Sequence, residues 1–285
     1  MNVWVEATRP RTLPASIAPV IVGTAAAERF IPWRAAAALM VSIALQIAVN
    51  LANDLFDARR GVDTAARRGP RRAVASGLVS PGAMKKAIVG TLAVAGIAGS
   101  ALAVAVGWEL LVVGLAAIVA ALAYSGGPRP YGSAALGEVM VFLFFGVVAT
   151  AGSAYVQDET LVQTALVASL PIGLLAAAIL VVNNLRDIPT DRDASKVTLA
   201  VKLGPERTVA LYRTLLVASF ASLPVIALAA SSAWTLLAAL TVLLVRDAGG
   251  RVQASSEPGP LVEALGATAR LQLAFAFLLA VGLWI

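Results

Sequence analysis

Hydrophobic residues along this chain neither alternate with polar ones nor keep to a single helical stripe. They run in long stretches parted by short polar segments. Apolar runs of about 15 to 25 residues predict helices that cross a bilayer. Nine are predicted, at roughly 13–30, 35–53, 85–106, 109–125, 136–156, 161–184, 206–230, 233–247 and 265–284, with the eighth the shortest. The connections then fall alternately on two sides. One side holds the N-terminus, 54–84, 126–135, 185–205 and 248–264; the other holds 31–34, 107–108, 157–160 and 231–232. The expected fold is all-α: a polytopic membrane protein of nine transmembrane helices in a single bundle, forming one domain over 1–285. No loop is long enough to fold alone, so function is expected within the membrane or at its face.

Composition sharpens this picture. The chain is 59% hydrophobic and 13% charged, whereas a soluble domain carries about 25% charged residues. Of its 22 Lys and Arg, all but Arg29 and Arg34 fall on the first side, and the second carries the acidic "QDET" (Gln157 to Thr160). Positive loops stay cytoplasmic. The N-terminus and the long loops are therefore expected in the cytoplasm and the C-terminus outside, in a multi-pass protein of the cell (inner or plasma) membrane. The same rule accounts for the net charge of +6 without nucleic acid as a partner. Arg9, Arg11 and Ala25-Ala26-Ala27 resemble a signal peptide, but Pro14 and Pro19 interrupt the stretch and many spans follow, so it is read as a retained first helix.

The chain has no Cys and no His. That excludes disulfides, thiolate or imidazole metal sites, Cys nucleophiles and His bases. A metal here has to be a hard cation held by oxygen, such as Mg²⁺.

Two polar stations stand out. In "NLANDLFD", Asn50, Asn53, Asp54 and Asp57 are spaced i, i+3, i+4, i+7, one helical face. They end the second predicted helix, where the helix dipole disfavours carboxylates and a cation would repair the conflict. Asp63 follows in the loop. In "NNLRDIPTDRD", Asn183, Asp187 and Asp191 are spaced by four at the end of the sixth helix, flanked by Asn184 and Arg186. Pro189 is expected to end or kink that helix near Ile188. Both stations end even-numbered helices, so they lie on one side and are placed to face each other across a cavity. Mg²⁺ takes few protein carboxylates and completes its shell with water and substrate phosphate, and arginines neutralise the remaining oxygens. A Mg²⁺-bridged diphosphate suits this chemistry. "RRGPRRAVASG" (Arg67 to Gly77) and Lys196 supply the cations, with Arg71, Arg72 and Lys196 the chosen binders. Arg59, Arg60, Lys85 and Lys86 are read as positive-inside residues at the lipid surface.

These residues resemble the UbiA superfamily of intramembrane aromatic prenyltransferases, whose motifs read N-D-x-x-D-x-x-x-D and D-x-x-x-D. The matches are Asn53-Asp54-Leu55-Phe56-Asp57 and Asp187-Ile188-Pro189-Thr190-Asp191. The last acid of the first motif would be residue 61, which is Gly61 here. Four further stretches are similar to the branch acting on 1,4-dihydroxy-2-naphthoate: "ATRPRTLPAS", "NLANDLFD", "GPRRAVASGLVSP" and "YSGGPRPYGSAALGE". The resemblance implies transfer of a polyprenyl group from polyprenyl diphosphate to 1,4-dihydroxy-2-naphthoate with loss of CO₂ and pyrophosphate, giving demethylmenaquinone. It implies Mg²⁺ on Asp54, Asp57, Asp187 and Asp191, which with Tyr124 form the catalytic set. Asn50, Asn53, Asn183 and Asn184 are expected to orient diphosphate or metal-bound water. Tyr124 and Tyr131 are placed to stabilise the cation or touch the acceptor, Arg129 to meet its carboxylate, and Glu138 either to cap the fifth helix or to act in catalysis. Homogentisate, 4-hydroxybenzoate and phylloquinone-type acceptors are the alternatives within the family. A phosphatidyl-alcohol transferase is disfavoured because Ala58 follows Asp57. A transporter is disfavoured because its ion sites would lie at the midplane.

Overall fold

In a computed structural model, residues 2–62, 71–254 and 258–285 are described; Asp63, Arg67 and Arg68 lie outside them. The helices are α1 (Val3–Thr8), α2 (Pro14–Ala25), α3 (Pro32–Arg59), α4 (Pro81–Val106), α5 (Glu109–Ala123), α6 (Gly137–Asp158), α7 (Gln163–Asp193), α8 (Leu199–Leu203), α9 (Pro205–Ala229), α10 (Ala233–Val252) and α11 (Pro258–Trp284). Among the described residues there is no strand, and the membrane-protein reading of the hydropathy pattern holds.

The count of nine spans is not matched as predicted. Among the described residues seven helices are long and apolar enough to cross a membrane, while Pro14–Ala25 and Glu109–Ala123 are shorter apolar helices. At 1.5 Å per residue these two reach only about 18 and 22 Å, short of a hydrocarbon core. The predicted first span ran through residues 28–30. In the structure that segment leaves the helix, because Asp158 takes the backbone N–H groups of Glu28 and Arg29 at 2.8 and 2.9 Å.

Proline and capping residues set several helix starts. Pro14, Pro32, Pro81 and Pro205 each sit in the first turn, where a missing N–H costs nothing. Ser80 caps α4 through the Ala83 N–H. One prediction needs correcting. Pro189 does not end α7, which runs on to Asp193. Leu185, Arg186, Asp187, Ile188 and Asp191 are all buried, and this tertiary packing overrides the lost backbone hydrogen bond.

α7 and α11 form the interior of the bundle. The most apolar windows of these helices are 72% and 61% buried, against 28% for α4, whose outer face carries exposed Val89, Val94, Ile97 and Val104. The main core gathers side chains from α2, α7, α9, α10 and α11, with Ile172, Leu175, Tyr212, Phe275 and Leu279 fully enclosed. A second, smaller cluster joins α1, α3, α4 and residues 73–79 around Leu51, Leu55, Met84 and Ile88. Close backbone contact joins α6 to α7: a Cβ on Gly146 would lie 2.5 Å from the Gly173 Cα. Next to this contact, Phe142–Val148 of α6 is wound as a π-helix, a distortion that recurs where helices carry function.

A candidate diphosphate site at one end of the bundle

A cavity of about 420 Å³ opens between the inner wall of α2 and α7 and the outer helices α3, α4, α5 and α6. Its apolar part is lined by Leu110, Leu111, Val113 and Leu115 on α5, Gly96 and Gly99 on α4, and Phe144, Phe145 and Val148 on α6. Its polar end is lined by Asn50, Asn53, Asp57, Arg72, Asn183, Asn184, Asp187, Asp191 and Lys196. The two stations therefore meet at one end of one cavity. Arg29 and Arg34, the two cations predicted on the other side, pair with Asp158 and Glu159, Arg34 Nη1 lying 2.8 Å from Glu159 Oε1.

α3 extends six residues beyond its predicted end, so Asp54 and Asp57 are both helical and both buried. The amides of the first station act as struts. Asn50 donates to the Thr8 carbonyl at 2.9 Å and to Thr12 Oγ1 at 3.3 Å, fastening the segment before α2. Asn53 Oδ1 accepts from Ser125 at 2.6 Å, fastening the turn after α5. Asp54 accepts the backbone N–H groups of Ala73 and Val74, both at 2.9 Å. Asp57 faces the cavity, with Lys196 Nζ at 3.6 Å and Arg72 Nη2 at 4.0 Å.

The second station is braced within its own helix. Arg186 donates Nε and Nη2 to the two oxygens of Asp187 at 2.7 and 2.6 Å, and Nη2 also reaches Asn183 Oδ1 at 2.9 Å. Asn184 donates to Glu138 Oε1 at 2.9 Å, tying α6 to α7. Asp191 Oδ1 lies 3.7 Å from Lys196 Nζ. Lys196 thus stands within 4 Å of a carboxylate from each station. Its loop is held to the 131–136 turn by an isolated parallel bridge, Ala134 to Val197.

Tyr124 and Tyr131 both line the cavity and stack edge to face, with centroids 5.4 Å apart. Burial pushes the Tyr131 phenol up to about 12. Burial, then the charges of Glu138 and Asp57, raise Tyr124 as well. Both phenols remain neutral at ordinary pH.

Two predicted binders are not brought to the cavity. Arg71 and Arg129 are exposed, and neither lines it. Arg72 turns inward and is buried, so its neighbour Arg71 points out. Polar lining residues that were not predicted include Arg9, Thr12 and Gln46. Gln46 was legible in principle, because it continues the i, i+4 series back from Asn50. Arg9 and Thr12 reach the site by packing of the N-terminal segment, which no local spacing signals.

Among the described residues no three carboxylates gather into a ready cation cage. Asp57, Asp187 and Asp191 instead border one cavity beside Arg72 and Lys196. This donor set fits Mg²⁺ that arrives with a phosphate ligand, since Mg²⁺ takes one or two protein carboxylates and fills its octahedron with water and phosphate oxygen.

The UbiA prenyltransferase family profile matches residues 16–249. The chain is 40% identical over 280 residues, 97% of its length and 95% of the relative's, to the 1,4-dihydroxy-2-naphthoate octaprenyltransferase of Mycobacterium tuberculosis (strain ATCC 25618 / H37Rv). It is 40% identical over 229 residues to the protein of the same name from Escherichia coli (strain K12), covering 77% of this chain and 74% of that one. An apo UbiA homolog from Aeropyrum pernix K1 has a TM-score of 0.75 at 17% identity, over 94% of this chain and 97% of the other. A UbiA homolog from Archaeoglobus fulgidus bound to GPP and Mg²⁺ has a TM-score of 0.71 at 18% identity, over 98% and 99%. These last two likenesses are of fold.

Proposed function

The chain belongs to the UbiA prenyltransferase family, and from that premise we propose that it transfers a polyprenyl group from polyprenyl diphosphate to 1,4-dihydroxy-2-naphthoate, releasing CO₂ and pyrophosphate. The observation that carries the reading is Lys196, within 4 Å of Asp57 and Asp191 at the polar end of an otherwise apolar cavity. A lipid-tailed diphosphate has this same polarity. The full-length relative from Mycobacterium tuberculosis supports the choice of acceptor. With 20 of 22 Lys and Arg on the station side of the predicted topology, that side faces the cytoplasm.

Asp57 and Asp191, which border the cavity from the two stations, would hold Mg²⁺ together with water and diphosphate oxygen, with the Arg186-braced Asp187 beside them. When bound, Mg²⁺ supplies Lewis-acid stabilisation of the departing pyrophosphate. Arg72 and Lys196 neutralise the remaining oxygens in a site that needs no reorganisation. As the allylic C–O bond breaks, its electron pair leaves on pyrophosphate and a prenyl cation remains. The edge-to-face pair Tyr124 and Tyr131 offers that cation electron-rich rings, and the apolar walls keep water away. The acceptor ring then attacks through the carbon that bears its carboxylate. The C–CO₂ bond breaks, its pair returns to the ring, and aromaticity is restored. No ring C–H bond is broken, so no base is needed to take a ring proton, which agrees with a chain lacking His. The isoprenoid tail lies along the cavity-lining Leu111, Val113 and Leu115 of α5, which are also exposed at the surface of the bundle.

The test is purified protein in detergent with Mg²⁺, geranylgeranyl diphosphate and 1,4-dihydroxy-2-naphthoate, read by mass spectrometry, with EDTA and 4-hydroxybenzoate controls. A Mg²⁺-dependent prenylated naphthoquinol lacking the carboxylate is expected. Product with another acceptor alone overturns the acceptor assignment. No transfer to any acceptor by folded protein overturns the reaction.

A further inference from the structure

Asp54 and Asp57 lie only about 60° apart around α3, and spacing alone assigns both to one ligand. The structure treats them differently. Asp57 borders the cavity and Asp54 does not. Asp54 is 2% exposed, and its two oxygens accept the N–H groups of the consecutive residues Ala73 and Val74. Those residues open a compact turn. Ser76 N–H bonds to the Arg72 carbonyl at 3.1 Å, Gly77 N–H to Val74 at 2.9 Å, and Val79 N–H to Ala73 at 3.0 Å. Gly77, at φ +73°, supplies the reversal. Ala73 and Val79 plug into the apolar cluster of Leu51, Leu55 and Met84. The residue just before this clamp is Arg72, whose buried guanidinium faces Asp57.

We propose that Asp54 is a positioning residue: its carboxylate folds residues 72–79 onto the end of α3 and so holds Arg72 over the site to receive diphosphate, with Asp54 itself outside the metal's ligand set. The inference deepens the diphosphate reading above and rests on it. A carboxylate already holding two amides in a buried setting is costly to recruit elsewhere, because the stranded N–H groups lose their partners. Asp54 acts on substrate through Arg72, so removing either residue removes one and the same contribution.

Four variants test this, with Asp57→Ala as a fifth for comparison: Asp54→Ala, Asp54→Asn, Arg72→Ala and the double Asp54→Ala/Arg72→Ala. The first measurement is equilibrium binding of radiolabelled geranylgeranyl diphosphate in EDTA. Asp54→Ala and Arg72→Ala each weaken binding about tenfold or more, and the double is no worse than Arg72→Ala alone. Additive losses in the double overturn the proposal. The second measurement is trypsin cleavage after Arg72, read by mass spectrometry, which needs neither substrate nor turnover. The wild type is protected, Asp54→Ala is cut, and Asp54→Asn, which keeps one acceptor oxygen, is intermediate. Equal cleavage in wild type and Asp54→Ala overturns the clamp. The third is Mg²⁺ dependence of turnover. Asp54→Ala raises KM for the prenyl diphosphate with the half-saturating Mg²⁺ unchanged, whereas Asp57→Ala shifts it. A shifted Mg²⁺ requirement in Asp54→Ala returns the residue to the metal. If the chain fails to catalyse prenyl transfer, the cleavage and EDTA-binding results still decide the role of Asp54.

Discussion

The two acidic stations read almost alike in the sequence, yet they are built in different ways. The station on α7 is largely self-contained: Arg186 and Asn183, from the same turns of the same helix, brace Asp187. The station on α3 depends on borrowed parts. Arg72 and Lys196 come from two different loops, and the Asn50 and Asn53 amides hold still other segments. The inner helix thus carries its own counter-charge, while the outer helix organises the loops around it. Loss of the Arg186 brace on α7 is expected to appear as lost stability, and loss of the loop cation Arg72 beside α3 as lost binding.

The hardest test of this contrast is to remove the cavity-facing carboxylates. Asp57→Ala and Asp191→Ala are each expected to lower kcat about 10²- to 10³-fold, measured as prenyl transfer by protein that remains monodisperse. Equal, near-wild-type rates would end the two-station scheme. Next in size is Arg186→Ala. It leaves Asp187 buried without its guanidinium and is expected to destabilise the fold by about 3 kcal/mol, seen as a lowered Tm in detergent. Arg72→Ala is expected to leave Tm nearly unchanged, because Lys196 still faces Asp57. A similar Tm loss in both would erase the difference between the stations. Lys196→Met, which cuts the cation shared by the two, is expected to raise KM for prenyl diphosphate about tenfold.

The smallest effect concerns pH. Tyr131 has its pKa raised by burial from 10 to about 12, so folding favours the neutral phenol. The stability this gives is complete below pH 10 and is lost as pH rises through about 12. Between pH 6 and 9 neither Tyr131 nor Tyr124 titrates. Tyr131→Phe is therefore expected to leave the shape of the pH–rate profile unchanged, and an inflexion that disappears in this variant would contradict it.

The helices were legible because apolar runs in this chain are long and their breakers sharp; Pro14, Pro81 and Pro205 sit in the first turns of their helices. Hydropathy failed at residues 26–30. These look like more span, but Asp158, more than 120 residues away, takes the N–H groups of Glu28 and Arg29 and fixes them as a turn. It failed again at Pro189, where burial outweighs a local breaker. For the site, spacing by three and four placed Asp57, Asp187 and Asp191 together, because the pattern lies within single helices. It could not separate Asp54 from Asp57, nor Arg71 from Arg72. Those distinctions arise where a loop folds back on a helix, between residues whose separation in sequence carries no period. Arg9 and Thr12 escaped for the same reason.

The contact between Gly146 and Gly173 has a consequence for the gene. A Cβ on Gly146 would lie 2.5 Å from the facing Cα, and one on Gly173 would lie 3.0 Å from its counterpart and 2.7 Å from the Phe142 ring. Every missense change of a glycine codon, whichever base is altered, adds at least that one carbon. Alanine, the mildest, is already too large at both positions without moving backbone. These two codons have no conservative neighbour in the genetic code. A mutational scan of the chain should find them as intolerant as the carboxylates, although neither lines the cavity.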